Sequence, residues 1–287
     1  LKKKNLLLLI TLLILFTLAC SLFNPELVGE KEEAPTEIAA ESAPVAEEAP
    51  VTHDGVCNNI LYPLLPTQQM VYKSTSPEGE MQMGMTVAKV EGNFATIDML
   101  DMSTGIVTQS TVECEEGIIK HFPSMTMGTI LGDMLNGTMT MDYLSGYIAP
   151  TEETLVANNW DMAWTSEYVM NGEITMEDEG ETMTVTIDNS PVKMDWKVVG
   201  TDESITVGAG TYTNAIKVSR EMVVDASIDM GVMKLDSSLS INSNHWFAPY
   251  VGMVKMEFDE ISISTQGMTF PVTLSETMEL IEFRPAE

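Results

Sequence analysis

Residues 55–287 are predicted to form an all-β domain: one large antiparallel, strongly curved sheet or half-open barrel with at most one or two short helices. Three observations predict this. Apolar residues recur at every second position, turn residues fall between these runs at hairpin spacing, and a helical period surfaces only once. Met81, Met83, Met85 and Val87 alternate with small or polar residues, as do Met183, Val185 and Ile187, then Met194, Trp196 and Val198. Val224, Ala226, Ile228 and Met230 form another set, followed by Gly252, Val254, Met256 and Phe258, and by Phe270, Val272 and Leu274. Such strands are half-buried, with one dry and one wet face. Turns at Pro77–Gly79, Glu91–Asn93, Asp178–Gly180 and Gly208–Gly210 bring the expected count to roughly ten to twelve strands. The helical exception is Met127, Ile130, Leu131 and Met134, ahead of Asn136-Gly137. A sheet with so long a dry face must close into a barrel, pack as a sandwich, or curl around something. Leu65-Pro66 before Met70-Val71-Tyr72 is echoed by Ala149-Pro150 before Asn159-Trp160 and Trp164, which points to two similar sub-sheets.

The chain ahead of this domain has a different character. Lys2 to Lys4 precede an uncharged apolar run from Leu6 to Phe16, and small Ala19 stands directly before Cys20. This is the layout of a secretory signal peptide over residues 1–19. Thr17-Leu18-Ala19-Cys20 resembles a bacterial lipobox, with threonine where an aliphatic residue is usual. The resemblance implies lipidation of Cys20 as the mature N-terminus. The competing reading is an uncleaved transmembrane anchor, but its apolar run is shorter than the about 20 residues a spanning helix needs. After Cys20 the segment to residue 54 is rich in Glu, Ala and Pro and lacks alternation. It cannot bury enough surface to fold, and is expected to be an acidic linker that holds the domain clear of the membrane. The expected address is lipid-anchored, on the extracytoplasmic face of an inner or outer membrane.

Charge narrows the partners. The chain carries 43 acidic and 14 basic residues, and loss of residues 1–19 removes three of the basic ones, leaving a net charge of −32. Nucleic acid is excluded as a partner, because its binding needs Lys and Arg to displace counterions from phosphate. Membrane contact is expected through the N-terminal lipid alone, with protein partners left open. With Cys20 assigned to the anchor, Cys57 and Cys114 remain. Two cysteines in an exported domain are expected to pair, and the loop they close corresponds to a stabilisation of about 4 kcal/mol. A redox or metal pair would need CxxC spacing or a neighbouring histidine, and neither is present.

Several segments resemble a group of bacterial lipoproteins of uncharacterised function. Cys57, then Leu61-Tyr62-Pro63-Leu64 and Tyr72, is similar to its opening; Cys114-Glu115-Glu116-Gly117 is similar to its second cysteine before an acidic turn. Val207-Gly208-Ala209-Gly210-Thr211-Tyr212-Thr213-Asn214-Ala215-Ile216-Lys217-Val218 resembles a V-x-A-G-T-[FY]-x-N-A-[IL]-K-V segment. Trp246-Phe247-Ala248-Pro249-Tyr250-Val251-Gly252-Met253-Val254-Lys255 resembles W-[FY]-A-P-G-V-G-L-V-K, with Tyr250 in place of glycine. The group is similar to periplasmic proteins of the LolA/LolB type. That resemblance implies a half-open barrel whose concave face holds acyl chains or other apolar matter. From the residues themselves, Gly208 and Gly210 permit a tight turn with positive φ, Pro249 ends strand pairing, and Gly252 allows a bulge or a close backbone approach.

Methionine is the compositional outlier, at 23 residues. Flexible thioethers fill a core, mould around an apolar ligand of variable shape, or ligate Cu(I). Met81, Met83 and Met85 lie on one side of a strand, as do Met125 with Met127 and Met139 with Met141. The residues expected to meet an apolar ligand are Met81, Met83, Met85, Met183, Met194, Trp196 and Trp246. His53, His121 and His245 are scattered, so no zinc cluster forms, and His245 is expected to be a strand-end residue. Glu177 to Glu181 lacks the alternate oxygens of a calcium loop, and Gly208-Ala209-Gly210 lacks the third glycine of a dinucleotide loop. No GxSxG, HExxH or Ser/His/Asp order occurs. The protein is therefore expected to be a non-enzyme without cofactor, a binding module for lipid or another apolar ligand. The alternatives are a structural or protein-interaction lipoprotein with no ligand and, third, copper binding.

Overall fold

The alternation of period two becomes strand along almost the whole domain. The computed structural model describes residues 55–286 apart from 78, 122–135, 179–180, 230–233 and 273–275. The signal segment, Cys20, the linker, His53, Met125 and the helix expected over 127–134 lie outside the described residues. The elements run β1 (Gln69–Ser76), β2 (Gly79–Glu91), β3 (Phe94–Asp101), β4 (Val107–Glu115), β5 (Ile118–His121), β6 (Asn136–Gly146), α1 (Glu152–Ala157), β7 (Ala163–Asp178) and β8 (Glu181–Val207). Then come β9 (Gly210–Asp229), β10 (Lys234–Ala248), β11 (Gly252–Thr265), β12 (Met268–Val272) and β13 (Thr277–Arg284).

All strand pairings are antiparallel, and twelve strands follow one path, β5-β4-β3-β2-β1-β13-β11-β10-β9-β8-β7-β6, with β12 hydrogen-bonded to β11 beside it. The two expected sub-sheets are therefore one continuous sheet, because β13 returns to pair with both β1 and β11. Bulges curl it. The β8–β9 ladder shifts register at four places, and each extra residue bends the strand and adds twist. The sheet nearly closes: Ile119 of β5 bridges Ala149, just beyond β6, so the two ends of the path meet. The result is a strongly curved, almost closed sheet with α1 as the single helix among the described residues.

α1 was not legible in the periodicity, because its six residues are too few to show a 3.6 repeat. Its start is capped: the Thr151 hydroxyl accepts from the Thr154 amide, and Glu152 and Glu153 complement the dipole in the first turn. Gly208 also differs from expectation. It does not supply a positive φ; a Cβ there would stand 2.9 Å from Ile281 Cγ2, so glycine is needed for close approach to β13.

Antiparallel pairing sends the turns alternately to two ends. The turns after β2, β4, β8 and β10 share one end, and the segment from Gly55 to Leu65 folds across it. Cys57 is disulfide-bonded to Cys114 of β4, with Cα atoms 5.2 Å apart. Ile60, Leu61 and Leu64 join the core beneath. Asn59 ties the segment down. Its amide donates to the carbonyls of Gly117 and Pro150, both at 2.7 Å, while its Oδ1 accepts from the backbone of Leu61 and Tyr62. At the opposite end, by the turns after β3 and β11, Met102, Ile106, Val107 and Met268 are exposed.

Candidate functional site

Two places bear on ligand binding: the inner face of the sheet, which side chains fill, and a cleft outside the disulfide end. Inward residues follow the alternation. On β2 these are Met83, Met85 and Val87; on β8, Val192, Met194, Trp196 and Val198; on β9, Val218, Arg220, Met222 and Val224. Cross-strand register then stacks methionine on methionine. Met194 faces Met222, Met256 faces Met278, and Met85 lies between Met70 and Met99. Met194 and Met222 are fully buried, so in this structure thioethers fill the interior. The Met70–Met85–Met99 rung is a soft-ligand arrangement, yet it is closed to solvent and Met70 Sδ accepts a hydrogen bond from the Tyr72 hydroxyl.

Of the residues expected to meet a ligand, Met83, Met85, Met194 and Trp196 are buried on the inner face, and Met81 is half-buried at its margin. Met183 pairs through its backbone with Met176, and its side chain is outside the described residues. Trp246 stands on the other face. Its indole donates to Glu203 Oε2 at 2.7 Å and is covered by Lys217 and Lys255, whose ammonium groups lie 4.7 and 5.7 Å from the ring. The doublet Trp246-Phe247 hides this in the sequence, since both residues are large and apolar and only the pairing register assigns Phe247 to the interior.

An aromatic wall runs across the inner face. Trp164 and Trp196 stack at 6.4 Å with planes 4° apart. His245 lies 5.5 Å from Trp196 and 6.1 Å from Phe247, and Tyr62 of the covering segment meets Phe247 edge-on at 5.0 Å. Set into this wall is a charge. Arg220 occupies the same rung as Trp164, Trp196 and Ser243, with 4% of its surface exposed and its guanidinium 5.5 Å from the Trp196 ring. Its Nε and Nη2 find no hydrogen-bond partner among the described residues, and neither does His245 Nδ1. His245 Nε2 is 2.9 Å from Ser243 Oγ.

Burial dominates the electrostatics. It lowers Arg220 from its usual value to about 10, with Tyr62 acting weakly the other way. The guanidinium therefore keeps its charge at neutral pH, at a cost on the order of 3 kcal/mol. Burial, and then the Arg220 charge, push His245 well below the usual imidazole value, so it is neutral. Burial raises the Tyr62 hydroxyl far above the usual phenol range. Sequence reasoning missed Arg220 and read His245 as a strand end. The available signal was phase: Arg220 stands in the apolar register between Val218 and Met222, where a charge is out of place.

The second place is a cleft of about 510 Å³ lined by Asn58, Glu116, Glu152 and Tyr250, among others. Tyr250, which replaces the glycine of the resembled segment, adopts a left-handed φ of 57° and its hydroxyl donates to Glu152. The cleft is acidic and would favour a cation, but among the described residues no group of three His, Cys, Asp or Glu side chains could hold a metal.

No known protein family and no curated protein matches the chain. Two crystal structures are similar in fold. One, described as "a putative lipoprotein" from Parabacteroides distasonis ATCC 8503, is 18% identical, covers 79% of this chain and 99% of its own, and has a TM-score of 0.43. The other, "a putative exported protein with YmcC-like fold" from Bacteroides fragilis NCTC 9343, is 15% identical over 79% of this chain and 100% of its own, also with a TM-score of 0.43.

Proposed function

We propose that the protein is a non-catalytic binding module, lipid-anchored through Cys20 on the extracytoplasmic face of a membrane, whose curved sheet takes up a lipid or another apolar ligand. The observation that carries this reading is the cross-strand stacking of methionine on the inner face, Met194 on Met222 and Met256 on Met278. A core selected only for rigidity favours branched aliphatic side chains with fixed rotamers. Unbranched thioethers repack at low cost, so a chain-like ligand can displace them without unfolding the sheet. The interior is thus filled without ligand and adaptable with one.

Native mass spectrometry of the full chain, released from detergent and followed by solvent extraction, tests the proposal. Acyl groups on Cys20 are covalent and stay with the protein, whereas a bound ligand leaves in the extract. An extractable apolar molecule near one per chain is the expected result. A protein mass that carries only its covalent lipid, after expression in the native host, would refute the reading in favour of a structural role. Cys20→Ser tests the anchor separately and is expected to move the chain out of the membrane fraction.

A further inference from the structure

Resting on that binding reading, we infer that Arg220 receives the carboxylate of a single-chain amphiphile, whose hydrocarbon runs from there along Met222 and Met194. A buried guanidinium without an anion is costly; the Trp196 ring face at 5.5 Å offsets part of that cost, and the unpartnered Nε and Nη2 are open to an anion from outside the chain. This chain has 43 acidic residues, yet among the described residues none forms an ion pair with Arg220. Every cation in those pairs is a lysine or Arg284 toward the surface.

The unpartnered atoms specify the ligand. Nε–H and one N–H of Nη2 project in parallel from the same edge of the guanidinium plane, spaced to meet the two oxygens of one carboxylate. His245, against the same Trp196 ring, brings a further unpartnered polar atom, Nδ1. Around this centre the walls are Trp164, Trp196 and Phe247, with the hydroxyls of Ser243 and Tyr62 as polar groups near the guanidinium. The next inward positions toward the opposite end are Met194 and Met222. One buried charge followed by a repackable wall that is apolar apart from Ser166, beside Met194, fits one anionic group followed by a chain.

The full chain in decyl maltoside is incubated with diazirine-bearing palmitic acid or the corresponding palmityl alcohol, irradiated, and the adducts mapped. The acid is expected to label inner-face peptides of β8 to β10 about tenfold more than the alcohol, the scale of one charge-assisted pair. Arg220→Met should bring the acid down to the level of the alcohol, while Arg220→Lys keeps most of the labelling. Unlabelled palmitate should displace the probe, and acetate at the same concentration should not. Equal labelling by acid and alcohol in the unmodified chain overturns the role of Arg220 and leaves the binding module intact; this arm needs no variant to fold. Displacement by acetate overturns the amphiphile, and displacement by lysophosphatidate but not palmitate overturns the carboxylate in favour of a phosphate. Absence of inner-face labelling by either probe overturns the inference, and the solvent-extraction experiment above decides the binding reading separately.

Discussion

Replacing Asn59 with alanine removes four hydrogen bonds: two fasten the covering segment to the end of the sheet and two hold the turn of the segment itself. Two of them, to the Pro150 carbonyl and from the Leu61 amide, are fully buried, so their abandoned partners cannot turn to water. At about 1–3 kcal/mol for each of the two buried orphaned groups, with the two half-buried partners largely resolvated, the loss comes to about 2–6 kcal/mol. That is a large part of the about 5–15 kcal/mol by which a domain is usually stable. Equilibrium urea unfolding, followed by the fluorescence of buried Trp164 and Trp196, gives the number directly. Asn59→Asp sharpens the test. It keeps the acceptor for Leu61 and Tyr62 but sets a carboxylate against the carbonyls of Gly117 and Pro150. Its folded-state pKa must therefore rise above the unfolded value near 3.9. The aspartate variant should approach the parent's stability below pH of about 4 and fall away as pH rises through the folded pKa; the alanine variant should show no such recovery. A cost below about 1 kcal/mol for alanine, or a pH-independent deficit for aspartate, would refute the role given to Asn59.

Reduction of Cys57–Cys114, or the double change to serine, should cost about 4 kcal/mol, read as a lowered urea midpoint, because the chain between them regains its freedom when unfolded. His245, neutral in the fold, gives an acid sensitivity: below pH of about 6.5 the unfolded chain takes up a proton that the folded one refuses. Stability should then fall by up to about 1.4 kcal/mol per pH unit. His245→Asn should remove this slope between pH 6.5 and 5.5 and leave the contributions of the carboxylates and of His121, whose pKa burial also lowers, in place. An unchanged slope would mean that the imidazole reaches solvent.

Much of the fold was legible because alternation is a local property. The apolar phase of Met83, Met85 and Val87, or of Met194, Trp196 and Val198, states which side of a strand is dry without reference to any partner. The disulfide was legible by elimination, since a domain read as exported, with Cys20 assigned to the anchor, leaves two cysteines with few other uses. The same local reasoning failed at Trp246, where an aromatic doublet leaves the phase ambiguous, and at α1, which is too short to declare a period.

The sequence alone, then, determined an all-β domain of about a dozen antiparallel strands with a methionine-rich dry face, since composition and spacing act within each strand. The tertiary structure decided that the sheet is single and nearly closed, that Gly55 to Leu65 covers one end, and that Arg220 and His245 meet inside it beside Trp196. Those facts depend on register between strands far apart in the chain. A shift of one residue would have turned Arg220 to solvent, where it would be an ordinary surface charge.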